Sequence, residues 1–178
     1  MTDPGLSLED RLKRVKLLVT DLDGVLTNGL IFYGDHGDEI KGFNIQDGQG
    51  IVLAQRANIR TVVITGRKSR VNERRAKDLR IDRLIQDCHE KGRMLEKVTG
   101  KYRLKPEDVA YIGDDLLDLP AMRVAGLAVA VRNAVSEVKS AAHHVTERSG
   151  GEGAVREVID MVLKSKGLWA AITAKIGA

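Results

Sequence analysis

Residues 16–29 read KLLVTDLDGVLTNG. An apolar run, Leu17 to Val19, is followed within four residues by Asp21 and Asp23, and Gly24 turns the chain directly afterwards. The stretch KLLVT at 16–20 reads as a strand whose apolar middle suits both faces of a covered parallel sheet. Two carboxylates at the end of such a strand repel each other and resist desolvation. Either they stand in a solvated turn or a cation sits among them.

Three more apolar runs follow: TVVIT at 61–65, DVAYIG at 108–113 and GLAVAV at 126–131, with HHVT at 143–146 a weaker fifth. Helical patterns separate them, at Gly48–Ala57, Ser69–Leu79, Glu90–Tyr102, Leu117–Ala125 and Ser136–Ala141, and another runs from Ala154 to about Lys166. Ser7 is placed to cap a short amphipathic helix ending at Arg14. The alternation predicts an α/β fold with a doubly wound parallel sheet. GLIFYGDHGDEIKGFN interrupts the rhythm with two strand-like arms around a glycine-rich turn, which predicts a β-hairpin insertion over 29–44. Its apolar arm, GLIFY, suits a buried hairpin face. The expected organisation is one domain over 1–178 with a tail at 167–178 that holds the single tryptophan.

Composition narrows the function. With 178 residues, 43% hydrophobic and 30% charged, the chain is an ordinary globular domain. A net charge of +4 could suggest nucleic acid, but basic and acidic residues are interleaved and aromatics are only 3%. An anionic small molecule accounts for the excess equally well. One cysteine, Cys88, leaves no intrachain disulfide. No apolar run reaches the ~20 residues needed to span a bilayer, so the expected setting is cytoplasmic, with neither membrane nor nucleic-acid partner.

In a doubly wound sheet, ligands bind beyond the carboxyl ends of the strands. Those ends carry Asp21-Leu22-Asp23, Thr65-Gly66-Arg67 and Gly113-Asp114-Asp115. Each alone has a plainer reading: a solvated turn, a turn leading into a helix, or acidic residues complementing a helix dipole. Together they would place carboxylates, a hydroxyl and a guanidinium around one crevice. Oxygen donors without histidine or cysteine suit a hard cation such as Mg²⁺.

The ordered set DLDGVLT, ITGR, Lys91 before a helix, and GDDLLD resembles the haloacid dehalogenase-like phosphatases. Over nearly the whole chain, GLIFYGDHGDEIKGFNIQDGQGI, ITGRKSRVNERRAKDL, VAYIGDDLLDLPAM and GGEGAVREV resemble the 3-deoxy-D-manno-octulosonate 8-phosphate (KDO 8-phosphate) phosphatases, small-cap members of that superfamily. The resemblance implies Asp21 as nucleophile and Asp23 as general acid and base. It implies Mg²⁺ held by the Asp21 side chain, the Asp23 main-chain carbonyl and Asp114, with Asp118 behind them. Thr65 and Lys91 would bind phosphate oxygens. Substrate contacts carried over are Asp23, Asn44, Ile45, Gln46, Asp47, Gly48, Arg67, Arg75 and Lys91, with Arg70 and Arg74 close rivals of Arg75. Without the resemblance, Lys91 reads as a solvated helix lysine.

Two positions depart from the family pattern: Val52 and Glu152 stand where arginine is expected. They weaken the case for an eight-carbon acid and leave phosphatases of nine-carbon sialic-type acid 9-phosphates, such as KDN or N-acylneuraminate, as an alternative. A non-catalytic sugar-phosphate-binding protein is the rival from another class. Small-cap relatives imply a homotetramer whose neighbours help enclose each site. The tail at 167–178 either reaches an adjacent site or is a frayed end.

Overall fold

The structure, a computed structural model, describes residues 5–174. Six strands form a single parallel sheet: β1 (Leu17–Thr20), β4 (Arg60–Ile64), β5 (Arg83–Ile85), β6 (Val109–Gly113), β7 (Leu127–Ala130) and β8 (His144–Val145). Their spatial order is β5-β4-β1-β6-β7-β8. The chain runs outward from β1 through β4 to β5, then returns to β6 on the other side of β1. Sequence order therefore reverses beside β1, where a crevice opens at the carboxyl ends of the strands.

Every residue of β1 and β6 is buried, because helices cover both faces of the sheet. On one side α1 (Leu8–Arg14), α2 (Ile45–Arg56) and α7 (Ala154–Ser165) pack together. A second group holds α4 (Lys91–Lys101), α5 (Leu119–Val124) and α6 (Ser136–Ala141). The core is aliphatic, with Tyr111 its largest fully buried side chain. Among the described residues no helix is long and apolar enough to cross a membrane.

Several boundaries differ from those read in the sequence. Strand β5 was not expected: it is three residues of an edge strand, Arg83-Leu84-Ile85, too short and too polar at its start to show a period. Helix α2 begins three residues before Gly48, because the Asn44 side chain accepts the backbone N–H groups of Gln46 and Asp47 and caps it. The pattern at 117–125 divides into a 3₁₀ turn at Leu116–Asp118 and α5, with Pro120 in the first turn of the helix.

The insertion is a hairpin of β2 (Phe32–Tyr33) and β3 (Glu39–Ile40), paired Phe32 with Ile40 and Tyr33 with Glu39. Its apolar residues are not buried within this chain: Leu30, Phe32, Tyr33 and Ile40 are all exposed. The strands are too short to fold an apolar face back onto the sheet. After α3 (Arg70–Asp78) and the remaining helices, α8 (Trp169–Thr173) returns onto α7. Trp169 lies against Arg156 and Lys164, and Ile172 is buried. Most of the expected tail is thus seated on its own chain, and 175–178 lie outside the described residues.

Candidate active site

Strands β1 and β6 end level. Thr20 pairs with Ile112, and the Asp21 N–H donates to the Ile112 carbonyl at 3.0 Å. This register sets Asp21 opposite Gly113, the last residue of β6, with Asp114 one residue beyond. Carboxylate oxygens of Asp21, Asp114 and Asp118 come within 4.8 Å of one another. Gly24 makes the approach possible: it has φ +93°, and a Cβ there would collide with Asp114 Oδ2.

Asp118 is completely buried and saturated. Its Oδ1 accepts from Lys91 Nζ (2.7 Å) and the Tyr111 hydroxyl (2.7 Å); its Oδ2 accepts from the backbone N–H groups of Asp114 (2.9 Å) and Asp115 (3.2 Å). Nothing remains with which to ligate a cation. Asp118 instead orients Lys91 and the Asp114 backbone. Burial and the adjacent Asp118 charge hold the Tyr111 phenol well above its ordinary pKa, so it remains a donor.

Asp21 and Asp114 are different. Asp21 Oδ1 lies 3.0 Å from Lys91 Nζ, whose aligned hydrogen bond goes to Asp118, and Asp114 Oδ1 is buried without a hydrogen-bond partner among the described residues. Burial first, then the Asp118 charge, raises the Asp21 pKa from 3.8 to about 7 against the pull of Lys91. Burial, Asp21 and Asp118 raise Asp114 to about 8. Buried carboxylate oxygens left without donors, at pKa values this high, are the signature of a place for a cation. The all-oxygen donor set fits Mg²⁺.

Lys91 is the first residue of α4, and its long side chain reaches inward until only 1% of the residue is exposed. Burial opposes its charge, but Asp21 and Asp118 outweigh it and lift the pKa above the ordinary lysine value. Thr65, one residue beyond β4, is buried, and its hydroxyl accepts the Arg67 N–H at 3.2 Å. The loop at Ser149–Gly153 closes another side: the Gly151 N–H donates to the Val25 carbonyl, and a Cβ at Gly150 would strike the Gly24 carbonyl.

The residues expected at the substrate lie around this centre with varied engagements. The Asp47 carboxylate is buried and accepts the N–H groups of Gly153 (3.2 Å) and Arg156 (2.8 Å), so it caps α7 from 106 residues away. Gln46 accepts from Arg148, Ile45 is exposed, and Gly48 is buried where the Arg75 guanidinium passes. Arg75 donates to the Asn44 carbonyl at 3.2 Å and stacks over Phe43, while Arg70 and Arg74 are exposed. Arg67 donates to the Tyr33 hydroxyl (3.1 Å) and Glu39 (3.3 Å) of the hairpin. Val52 is half-buried on α2 and Glu152 is exposed.

The sequence reading passed over Lys41, Glu39, Asn72 and Tyr111. Lys41 Nζ forms an ion pair with Asp23 Oδ1 at 2.6 Å. A signal existed: Glu39 and Lys41 are two apart at the base of a strand and so share a face.

Strand ends bearing one candidate nucleophile and one free carboxylate, with a buried lysine from the start of α4, define a metal-assisted phosphoryl-transfer hydrolase of the doubly wound class. The family model for haloacid dehalogenase-like hydrolases matches residues 83–159. The chain is 43% identical over 157 residues to the 3-deoxy-D-manno-octulosonate 8-phosphate phosphatase of Escherichia coli K12, covering 88% of this chain and 84% of that protein. The crystal structure of the Yersinia pestis phosphatase of the same name superposes with a TM-score of 0.90 at 40% identity, covering 92% and 88% of the two chains. The Moraxella catarrhalis phosphatase, solved with magnesium, phosphate and KDO, gives 0.92 at 38% identity over 94% and 97%. The chain belongs to the 3-deoxy-D-manno-octulosonate 8-phosphate phosphatase family.

Proposed function

We propose that this protein hydrolyses KDO 8-phosphate to KDO and phosphate through an aspartyl-phosphate on Asp21, as a step of lipopolysaccharide core sugar biosynthesis. The observation that carries the reading is the convergence of the Asp21 and Asp114 carboxylates beyond β1 and β6, their buried oxygens short of donors and Lys91 beside them.

Asp21 attacks phosphorus and the ester oxygen departs on the opposite side. Asp23 gives that oxygen its proton, then takes one from the water that cleaves the acyl phosphate. Lys91 and Thr65 hold equatorial phosphate oxygens, and Asp118 with Tyr111 keeps Lys91 in place. The side chains of Asp21 and Asp114 and the Asp23 main-chain carbonyl would hold Mg²⁺, which would supply the positive charge that lets a carboxylate approach a phosphate dianion. Asn44, Ile45, Gln46, Asp47, Gly48, Arg67 and Arg75 border the sugar acid. Asp47 serves there through the backbone it fixes, since its carboxylate is committed to α7.

The whole chain acts as one phosphatase domain in the cytoplasm, as a homotetramer. The exposed hairpin residues Leu30, Phe32, Tyr33 and Ile40 support assembly, because apolar side chains clustered on so short an insertion favour a protein contact.

Phosphate release with Mg²⁺ across KDO 8-phosphate, KDN 9-phosphate, N-acetylneuraminate 9-phosphate and hexose phosphates tests the reading. The expected result is the highest kcat/KM on KDO 8-phosphate. Preference for a nine-carbon acid would overturn the substrate and turn attention to Val52 and Glu152. No turnover of any ester would overturn the enzyme.

A further inference from the structure

Among the described residues, two lysines are buried at the site. Lys91 serves Asp21 and Asp118. Lys41, from the residue following β3, serves the carboxylate that Lys91 does not reach. Its side chain has no exposed surface; Nζ donates a hydrogen bond to Asn72 Oδ1 at 3.0 Å and forms ion pairs with Asp23 Oδ1 at 2.6 Å and Glu39 Oε1 at 3.2 Å.

Asn72 is itself fully buried and fixed. Its amide donates to Gln86 Oε1 at 3.2 Å; that oxygen also accepts the Ser69 N–H, and Gln86 donates in turn to Glu73. Burying an ammonium requires complete compensation, and here three elements supply it: the β1 loop, the hairpin and α3. Asp23 also stands apart from the carboxylates that converge on the cation locus, which are Asp21, Asp114 and Asp118.

We infer that Lys41 is the positioning residue for Asp23: it holds the carboxylate toward the hairpin, away from the cation, where the departing ester oxygen and the attacking water can meet it. The inference rests on Asp23 acting as acid and base in the proposed reaction. A plainer role, tying down the base of the hairpin, would use the same contacts. The two differ in what happens when the leaving group needs no proton.

The test uses Lys41→Met and Lys41→Gln in the full-length protein with Mg²⁺, and compares kcat/KM for the best alkyl phosphate with that for p-nitrophenyl phosphate. This ratio reports only steps through formation of the aspartyl-phosphate. Lys41→Met is expected to lose about 100-fold on the alkyl ester and only a small part of that on the aryl ester. Lys41→Gln, which keeps a donor, covers a failure of Lys41→Met to fold and is expected to show a smaller loss with the same selectivity. In an Asp23→Ala background, Lys41→Met is expected to cost little more, since the two act as a unit.

Equal losses on both esters, or an undiminished loss in the Asp23→Ala background, would overturn the inference. Failure of the wild type on KDO 8-phosphate, with turnover of another alkyl phosphate, would instead overturn the substrate and leave the Lys41 comparison intact.

Discussion

The carboxyl edge of the sheet and the inserted hairpin are built on opposite terms. At the sheet edge, Asp21 and Asp114 extend from β1 and β6, whose residues are all buried, and Asp118 locks Lys91 and the Asp114 backbone beside them by hydrogen bonds. In the hairpin, β2 and β3 are two residues each; Phe32 and Ile40 face each other at 59% exposure, while polar Glu39 and Lys41 reach inward. The sheet thus fixes charges to within the tolerance that chemistry needs. The hairpin lends it polar groups from one face and keeps its apolar face turned outward. A rigid frame and a small adaptable insertion divide the work between reaction and surroundings.

The contrast breaks most sharply at Asp21. Asp21→Asn keeps the shape and removes the nucleophile, so turnover is expected to fall on the order of 10⁴-fold or more while the circular dichroism spectrum and melting profile persist. Appreciable residual phosphate release would exclude the covalent route.

Lys91→Met tests the frame itself. It leaves Asp21 and Asp118 buried without their cation, which is expected to lower the unfolding free energy by about 3 kcal/mol. As a reference, Lys16→Met breaks an ion pair with Asp108 in which the lysine is mostly exposed, and is expected to cost no more than about 1 kcal/mol. Denaturant titration of both variants gives the comparison; similar losses would mean that the site lysine is not specially buried in solution.

A smaller effect should follow pH. Asp21 and Asp114 hold protons up to about 7 and about 8 when folded, against 3.8 ordinarily. The stability they contribute is fully present below pH 3.8 and is lost as pH rises to about 8, because the folded chain retains protons that the unfolded one releases. Mg²⁺ displaces those protons, so it binds more tightly as pH rises. Melting temperatures in chelator and in Mg²⁺ should diverge more at pH 8 than at pH 5. An increment independent of pH would separate the cation from these two carboxylates.

The least costly change to the chain itself lies on the hairpin. Phe32→Ser with Ile40→Ser removes the exposed apolar pair and should alter the intrinsic stability of one chain by about 0.5 kcal/mol or less. The hydrodynamic mass should fall at the same time, measured by light scattering after size exclusion. If the proposed homotetramer is found and survives the double change, assembly belongs to another surface.

Much of this was legible in linear order. The apolar runs at 17–20, 60–64, 109–113 and 127–130 are strands because both faces are covered, which removes alternation and leaves a continuous signal. Asp21, Asp23, Thr65 and Asp114 could be named because they follow those runs directly. Lys91 could not be singled out on chemical grounds: it is one of two lysines in HEKGRMLEK, and its distinction is a burial that arises only when α4 packs against α5 and brings the side chain to Asp21 and Asp118. Strand β5 escaped notice because an edge strand of three residues has no period to read.

The sequence alone therefore determined the class of fold, the hairpin's place and the oxygen-only chemistry of the strand ends, since these depend on residue type and near neighbours. Tertiary structure decided which carboxylates remain available. Asp118 is filled by Tyr111, Lys91 and two backbone N–H groups; Asp47 is spent on the start of α7; Asp23 is drawn to Lys41 from an inserted hairpin. Those partners lie between 3 and 109 positions away along the chain, and a buried charge takes its role from whatever the fold brings within about 3 Å.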